Sequence, residues 1–368
     1  MAEYLGREWS KKELLSYVGD PHQLAGAQIS TLNDGKAEGV KVININTGSG
    51  FNFSVLPGRG MDISHAFFKG KSLNFLSGTG ITSSAYYEES GFKWLRSFFG
   101  GLLTTCGVSY SGAPSVDQGE PLGLHGRISN TAAEDICIKQ GWDGDEYKIS
   151  VRGMMREARA MGENITLTRS IETKLRQNGF RLHDVIENNG FEPQPLMMLY
   201  HFNFGFPLLS PNAKITGPVL TCEPRDKEAA EDRGLEECFT FPPPQAGYQE
   251  KVFFHNLAAD TENKTFMALL NRDIGDGTPL GIVMRFDKRE LPKFTEWKMP
   301  RQGFYVLGLE PGTAVPLGRA AVREKGDLLF LQPQKRYTIS IDFEVIESIP
   351  EMAAIESEAE NLINGYNR

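Results

Sequence analysis

Three side chains in this sequence have the types that move protons, and all three stand in apolar surroundings. His201 lies in Met197–Pro207, which reads Met-Met-Leu-Tyr-His-Phe-Asn-Phe-Gly-Phe-Pro and has the composition of a buried strand. His125 lies between small residues in Gly123-Leu124-His125-Gly126-Arg127. Glu310 lies in an apolar strand-to-turn segment, Gly308-Leu309-Glu310-Pro311-Gly312. A histidine in such a strand is either a core residue satisfied by a hydrogen bond or a working group. Burial raises a glutamate toward neutral pH, where histidine already titrates. The set could therefore supply a general base and a general acid to one small substrate. No nucleophile is indicated, and there is no Gly-x-Ser-x-Gly elbow, no Gly-x-Gly-x-x-Gly after a strand and no P-loop. Zinc or iron accepts His/His/Glu ligands, but the three residues sit on distant stretches, so spacing gives a metal no support; no metal and no cofactor is expected.

Strand alternation selects the neighbours. Asn203 points to the same side as His201, while Phe202 and Phe204 point to the other and read as core. Arg59 stands between glycines in Pro57-Gly58-Arg59-Gly60, with Asp62 three residues on. It is either part of a turn with a surface ion pair or an arginine at a pocket mouth that donates to oxygens. Trp297 and Tyr305 are the aromatics placed near a pocket, with ordinary packing as the alternative for each. Aromatic faces, fork-like donors and carboxylates together suit a sugar.

These residues need a rigid frame. The chain has 368 residues, 40% of them hydrophobic, with Gly 39 and Pro 20 spread along its length. That favours many short strands joined by turns over a few long helices. Tyr147–Met155, Ile165–Lys174 and Phe180–Asn188 follow one another as an antiparallel meander, and Asn189-Gly190 marks a turn. In Tyr337–Val345 the residues Ile339, Ile341, Phe343 and Val345 alternate with polar ones. Residues 77–91, rich in Ser, Gly and Tyr, read as a loop able to cover a site. The organisation expected is a helical arm over 1–26, one β domain over 27–346 and a C-terminal helix over 347–368. The terminal helices are placed either to mediate a homodimer or to cap sheet edges.

The formal net charge of −8, with no basic block, argues against a nucleic-acid partner. No apolar run approaches a membrane span and no secretory signal is apparent, so a cytoplasmic protein acting on a small molecule is expected. Cys106, Cys137, Cys222 and Cys238 form no zinc-like spacing and read as four reduced thiols, with Cys106 able to line a pocket.

The stretches around His125, His201 and Glu310 resemble the galactose mutarotase-like superfamily, the aldose 1-epimerases, and within it a bacterial aldose 1-epimerase-like branch. Leu124-His125-Gly126, His201-Phe202-Asn203-Phe204-Gly205 and Gly308-Leu309-Glu310 look like its substrate-binding, acid and base elements, in the same order. Arg59 looks like its early sugar-binding arginine. The resemblance covers about residues 27 to 346 and implies a large antiparallel β-supersandwich, with a sugar as substrate. It implies that Glu310 takes the proton of the anomeric hydroxyl while His201 protonates the ring oxygen, with His125 and Arg59 holding oxygens. Arg127 departs from the pattern, where a further glycine is common. It would reach an acidic group or phosphate on a different substrate, or pair with Glu310 or Asp62. The acidic residue for a sugar hydroxyl falls to Asp287 or Glu296. Fold likeness does not fix the reaction. A keto-sugar isomerase, a lyase and a non-catalytic carbohydrate-binding protein remain as alternatives.

Overall fold

The computed structural model describes residues 2–231 and 234–366, so Asp232 and Arg233 of the charged 227–237 segment, and the ends of both terminal arms, lie outside the described residues. The chain is mainly β, with two large antiparallel sheets packed face to face. The eleven-stranded sheet runs Val219–Pro224, Lys251–Leu257, Lys293–Arg301, Phe304–Gly312, Leu199–Phe204, Leu103–Cys106, Asp62–Phe68, Phe51–Leu56, Lys41–Asn46 and Gly26–Thr31, with the short Lys71–Ser72 strand beside this path. The eight-stranded sheet runs Glu134–Asp143, Glu146–Ala158, Asn164–Lys174, Gly179–Asn188, Arg336–Ile346, Leu280–Asp287, Lys264–Asn271 and Ala213–Thr216. The expected meander is there, with Val151 opposite Ile171 and Ile171 opposite Leu182.

Aromatic rings fill the space between the sheets. Phe51 and Phe202 of the larger sheet stack on Phe343 of the smaller, at centroid distances of 6.2 and 6.0 Å, and Phe180 lies 5.0 Å from Phe343. Each such buried ring contributes roughly 2 to 3 kcal/mol of transfer free energy. A buried ionic cluster crosses the same gap. Arg169 of the smaller sheet donates to Asp184 at 2.9 and 2.7 Å and to Asp62 of the larger sheet at 3.3 Å. The Tyr200 hydroxyl donates to Asp184 at 2.7 Å. Tyr200 immediately precedes His201, so this bond ties the histidine's strand to the opposite sheet and leaves His201 facing outward.

Two helices bracket the sheets. Lys11–Leu15 begins at a capping box, in which Ser10 and Glu13 satisfy each other's backbone donors. Ile349–Tyr366 lays Met352, Ile355 and Ala359 against Phe266, Ala268, Leu270 and Val283 on the outer face of the smaller sheet. Among the described residues no helix is long and apolar enough to cross a membrane.

Candidate active site

The larger sheet builds the site from its central strands. Leu199 pairs with Gly312 and Phe202 with Leu309, a register that brings His201 and Glu310 side by side on the outward face. The His201 Nε2 and Glu310 Oε1 atoms are 3.1 Å apart, and the two residues are only 5% and 2% exposed. Phe202 and Phe204 turn the other way into the core, and Asn203 shares the face of His201, as alternation requires. Gly308 makes this contact sterically allowed, since a Cβ there would stand 2.4 Å from Glu310 Oε1 and 3.2 Å from His201 Cε1.

His125 arrives from a loop. Its backbone is held in the left-handed region, φ 59°, between hydrogen bonds from its N–H to the Gly112 carbonyl and from the Gly107 N–H to its own carbonyl. A non-glycine residue there carries strain that the surrounding structure must hold. Gly126 follows at φ 80°, where a Cβ would come within 2.2 Å of the Gly107 carbonyl oxygen. The His125 and His201 rings meet edge to face at 5.7 Å.

Aromatic side chains complete the cluster. Trp94 lies 4.8 Å from the His125 ring, Phe98 lies 5.6 Å from His201, and Trp297 lies 5.3 Å from His201. The Trp297 indole N–H donates to Glu250 at 2.9 Å, and Arg225 donates to the same carboxylate at 3.0 Å. Tyr87 of the 77–91 loop packs on this group and donates through its hydroxyl to the Gly126 carbonyl at 3.2 Å.

Burial dominates the electrostatics. It pushes Glu310 well above the ordinary carboxylate value, and the nearby Glu250 charge pushes the same way while Arg225 opposes it. It pushes His201 well below the ordinary imidazole value, with His125 adding to the effect, and holds His125 down at about 4. Both shifts favour the uncharged forms, so the pair carries one proton, resting on Glu310 as carboxylic acid beside a neutral imidazole, and the 3.1 Å contact lacks the alignment of a hydrogen bond. Several polar atoms here are buried without a hydrogen-bond partner: Nδ1 of His125 and His201, Oδ1 of Asn203, Oγ1 of Thr295 and Oε1 of Glu310. Groups left so at one place are prepared for other oxygens and protons. Among the described residues no three His, Cys, Asp or Glu side chains are arranged to hold a metal ion.

The sequence expectations divide at this site. His201, Glu310, His125, Asn203 and Trp297 come together. Arg59 stands behind the site, 1% exposed, donating to the carbonyls of Ser129, Thr82 and Ser97 and to the Thr82 hydroxyl. Neither a surface ion pair nor a free donor at a pocket mouth describes it. It ties together the segments that carry Trp94 and His125. Arg127 pairs with neither Glu310 nor Asp62 but with Glu89 at 2.5 Å and Glu157 at 3.4 Å, its guanidinium over the Tyr110 ring. Asp287 stands apart from the site: it ends a strand of the smaller sheet, and Arg289 and Lys264 occupy its carboxylate. Glu296 faces the opposite side from Trp297 and bonds His255 at 2.9 Å. Tyr305 packs on the core and donates to the Pro242 carbonyl. Trp94, Phe98, Arg225 and Glu250 were not foreseen. Trp94 and Phe98 lie in an apolar stretch with no local chemical signal, and Glu250 reaches the site through tertiary pairing with Trp297 and Arg225.

No curated protein matches the chain. A crystal structure from Klebsiella pneumoniae, carried under the provisional name aldose 1-epimerase, matches with a TM-score of 0.86 at 27% identity, over 93% of this chain and 90% of that one. A galactose mutarotase-like protein from Clostridium acetobutylicum matches with a TM-score of 0.61 at 15% identity, over 89% and 100%. The galactose 1-epimerase from Lactobacillus acidophilus matches with a TM-score of 0.54 at 12% identity, over 88% and 99%. The fold is therefore galactose mutarotase-like. Residues 37–345 match the family model described as a domain of unknown function, DUF4432, and the chain belongs to that family.

Proposed function

We propose that this protein is a carbohydrate-active isomerase that interconverts the anomers of a sugar, acting as an aldose 1-epimerase. The observation that carries the reading is the 3.1 Å contact between His201 and Glu310 at the floor of an aromatic-walled cluster. The two oxygens that exchange protons in anomerisation, the anomeric hydroxyl and the ring oxygen, are bonded to one carbon. The groups that serve them must then be neighbours. Glycoside hydrolysis, by contrast, sets its two carboxylates roughly 5 Å or more apart.

In the proposed cycle Glu310 as carboxylate takes the proton of the anomeric hydroxyl while His201 as imidazolium gives one to the ring oxygen. The bond between the anomeric carbon and the ring oxygen breaks and an aldehyde forms. Rotation about the adjacent carbon–carbon bond presents the other face. Closure then reverses both transfers, so the pair ends with the single proton it began with. Trp297 and Phe98 offer surfaces for the C–H face of the ring, and His125, Asn203 and Glu250 offer partners for its hydroxyls. The provisional name of the Klebsiella protein, at 27% identity, supports the same reading. Glu310→Gln tests it. The variant is expected to lose anomer exchange by about a hundredfold or more while sugar binding, followed by tryptophan fluorescence, survives. Full activity of the variant would remove Glu310 from the role of base.

A further inference from the structure

A second cluster of reactive side chains lies beside the site and takes no part in the proposed chemistry. Cys222 is on Val219–Pro224, the edge strand of the larger sheet, and pairs in register with His255. His255 Nε2 contacts Glu296 Oε2 at 2.9 Å, with both side chains fully buried. The Cys222 sulfur lies 3.7 Å from that of Cys238, and both are free thiols. Cys222 is partly exposed; Cys238 is buried against Ala229 and Phe253.

We propose that Cys222 is a peroxide-sensitive nucleophilic thiol and that Cys238 is its resolving partner, so that the two form a reversible disulfide. The thiolate is the reactive form of a cysteine. His255 as imidazolium stabilises a thiolate at Cys222, and the buried Glu296 carboxylate keeps His255 charged. The hydrogen bond from the Cys238 thiol, and after it His255, lower Cys222 to about 5, while against the effect of burial Cys222 and Glu296 raise His255 to about 9. The other charged groups acting on the sulfurs are Glu223 on the same strand and Lys298 from Lys293–Arg301. Lys298 donates to the carbonyls of Glu237 and Thr240, fixing the chain on both sides of Cys238.

The steps balance. The Cys222 thiolate attacks one oxygen of hydrogen peroxide, giving a sulfenic acid and hydroxide, which takes a proton to become water. The Cys238 sulfur then attacks the sulfenic sulfur. Its proton leaves with the displaced hydroxide as a second water, and the disulfide forms. The bond needs the sulfurs to close from 3.7 Å to about 2 Å. The bridge would pin the segment next to Arg225, which holds Glu250 at the rim of the site.

The test uses the whole wild-type protein. After mild hydrogen peroxide, the thiol titre of the denatured protein is expected to fall from four to two per chain, counting the four cysteines of the sequence. Non-reducing peptide mapping should find a Cys222–Cys238 link that dithiothreitol reverses. Before oxidation, alkylation of Cys222 should proceed at nearly the same rate at about pH 6 as at about pH 8, whereas an ordinary thiol speeds up roughly tenfold per pH unit. An unchanged titre, a link between other cysteines, or a Cys222 rate that climbs like an ordinary thiol's would overturn the proposal.

Discussion

Replacing Gly308 by alanine is the sharpest perturbation available to the His201–Glu310 contact. Gly308 lies across from Asn203 on one side and Trp297 on the other. Its backbone is not in the left-handed region, so alanine is conformationally allowed, and the whole effect comes from one methyl group. That methyl would stand 2.4 Å from Glu310 Oε1, 3.1 Å from Trp297 Cβ and 3.2 Å from His201 Cε1. Real Cβ contacts essentially never fall under 3.0 Å and are ordinary from 3.4 Å, so the carboxylate must move by at least 0.6 Å and by 1.0 Å to relax. Displacing a reacting group by about 1 Å costs on the order of a hundredfold in rate, and overpacking costs about 1 to 3 kcal/mol of stability. The expected result is a kcat for anomer exchange down about a hundredfold in a protein that still unfolds cooperatively in urea. Gly281→Ala is the matched control. Its methyl would meet Leu270 Cδ2 at 2.9 Å in the other sheet, giving similar packing strain away from the site. It should lose stability and keep its rate. Wild-type turnover in folded Gly308→Ala would show that the contact is not the working geometry.

Three further outcomes follow from the same structure. Burial disfavours both a second proton on the His201–Glu310 pair and the loss of its last one, so the acid limb of kcat/KM should lie below the ordinary histidine value of 6.5 and the alkaline limb above the ordinary glutamate value of 4.5; a pH profile rising through 6.5 as a single free histidine would contradict this. Asp62 is raised from 3.8 to about 7 in the folded state, so its contribution to stability is full below 3.8 and is lost as pH rises through about 7. Asp62→Asn should flatten the pH dependence of urea unfolding over that window; an unchanged slope would mean that Asp62 stays ionised beside Arg169. Arg59→Met leaves three buried carbonyls without their donor, at roughly 1 kcal/mol or more each, so urea unfolding should show a loss of about 3 kcal/mol or more, and a loss well under 1 kcal/mol would refute its tethering role.

Much of the frame was legible because local pattern and tertiary role coincide. The alternation of Ile339, Ile341, Phe343 and Val345 is the inner face of the Arg336–Ile346 strand, and the meander from 146 to 188 pairs as consecutive strands usually do. His201 and Asn203 share a face because a strand allows nothing else. What failed depends on which strands meet. Leu280–Asp287 and Lys293–Arg301 are separated only by 288–292, yet one belongs to the smaller sheet and the other to the larger. Asp287 and Trp297 therefore part company although their sequence neighbourhood puts them together. The glycines flanking Arg59 suggest a turn or mouth residue, but the carbonyls of Thr82, Ser97 and Ser129, from three separate segments, draw its guanidinium inward. Glu250 has no local signal at all.

The central claim is that a proton-sharing histidine and glutamate open and close a sugar ring. Proton exchange spectroscopy of aldoses, ketoses and uronates in heavy water, with wild-type protein and Glu310→Gln, tests it most directly. The account predicts faster exchange between α and β anomers of at least one sugar, no deuterium at any carbon, and loss of the acceleration in the variant. Deuterium entering at carbon, or a new sugar appearing, would move the chemistry to isomerisation or elimination, and the absence of any acceleration across the panel would contradict the account.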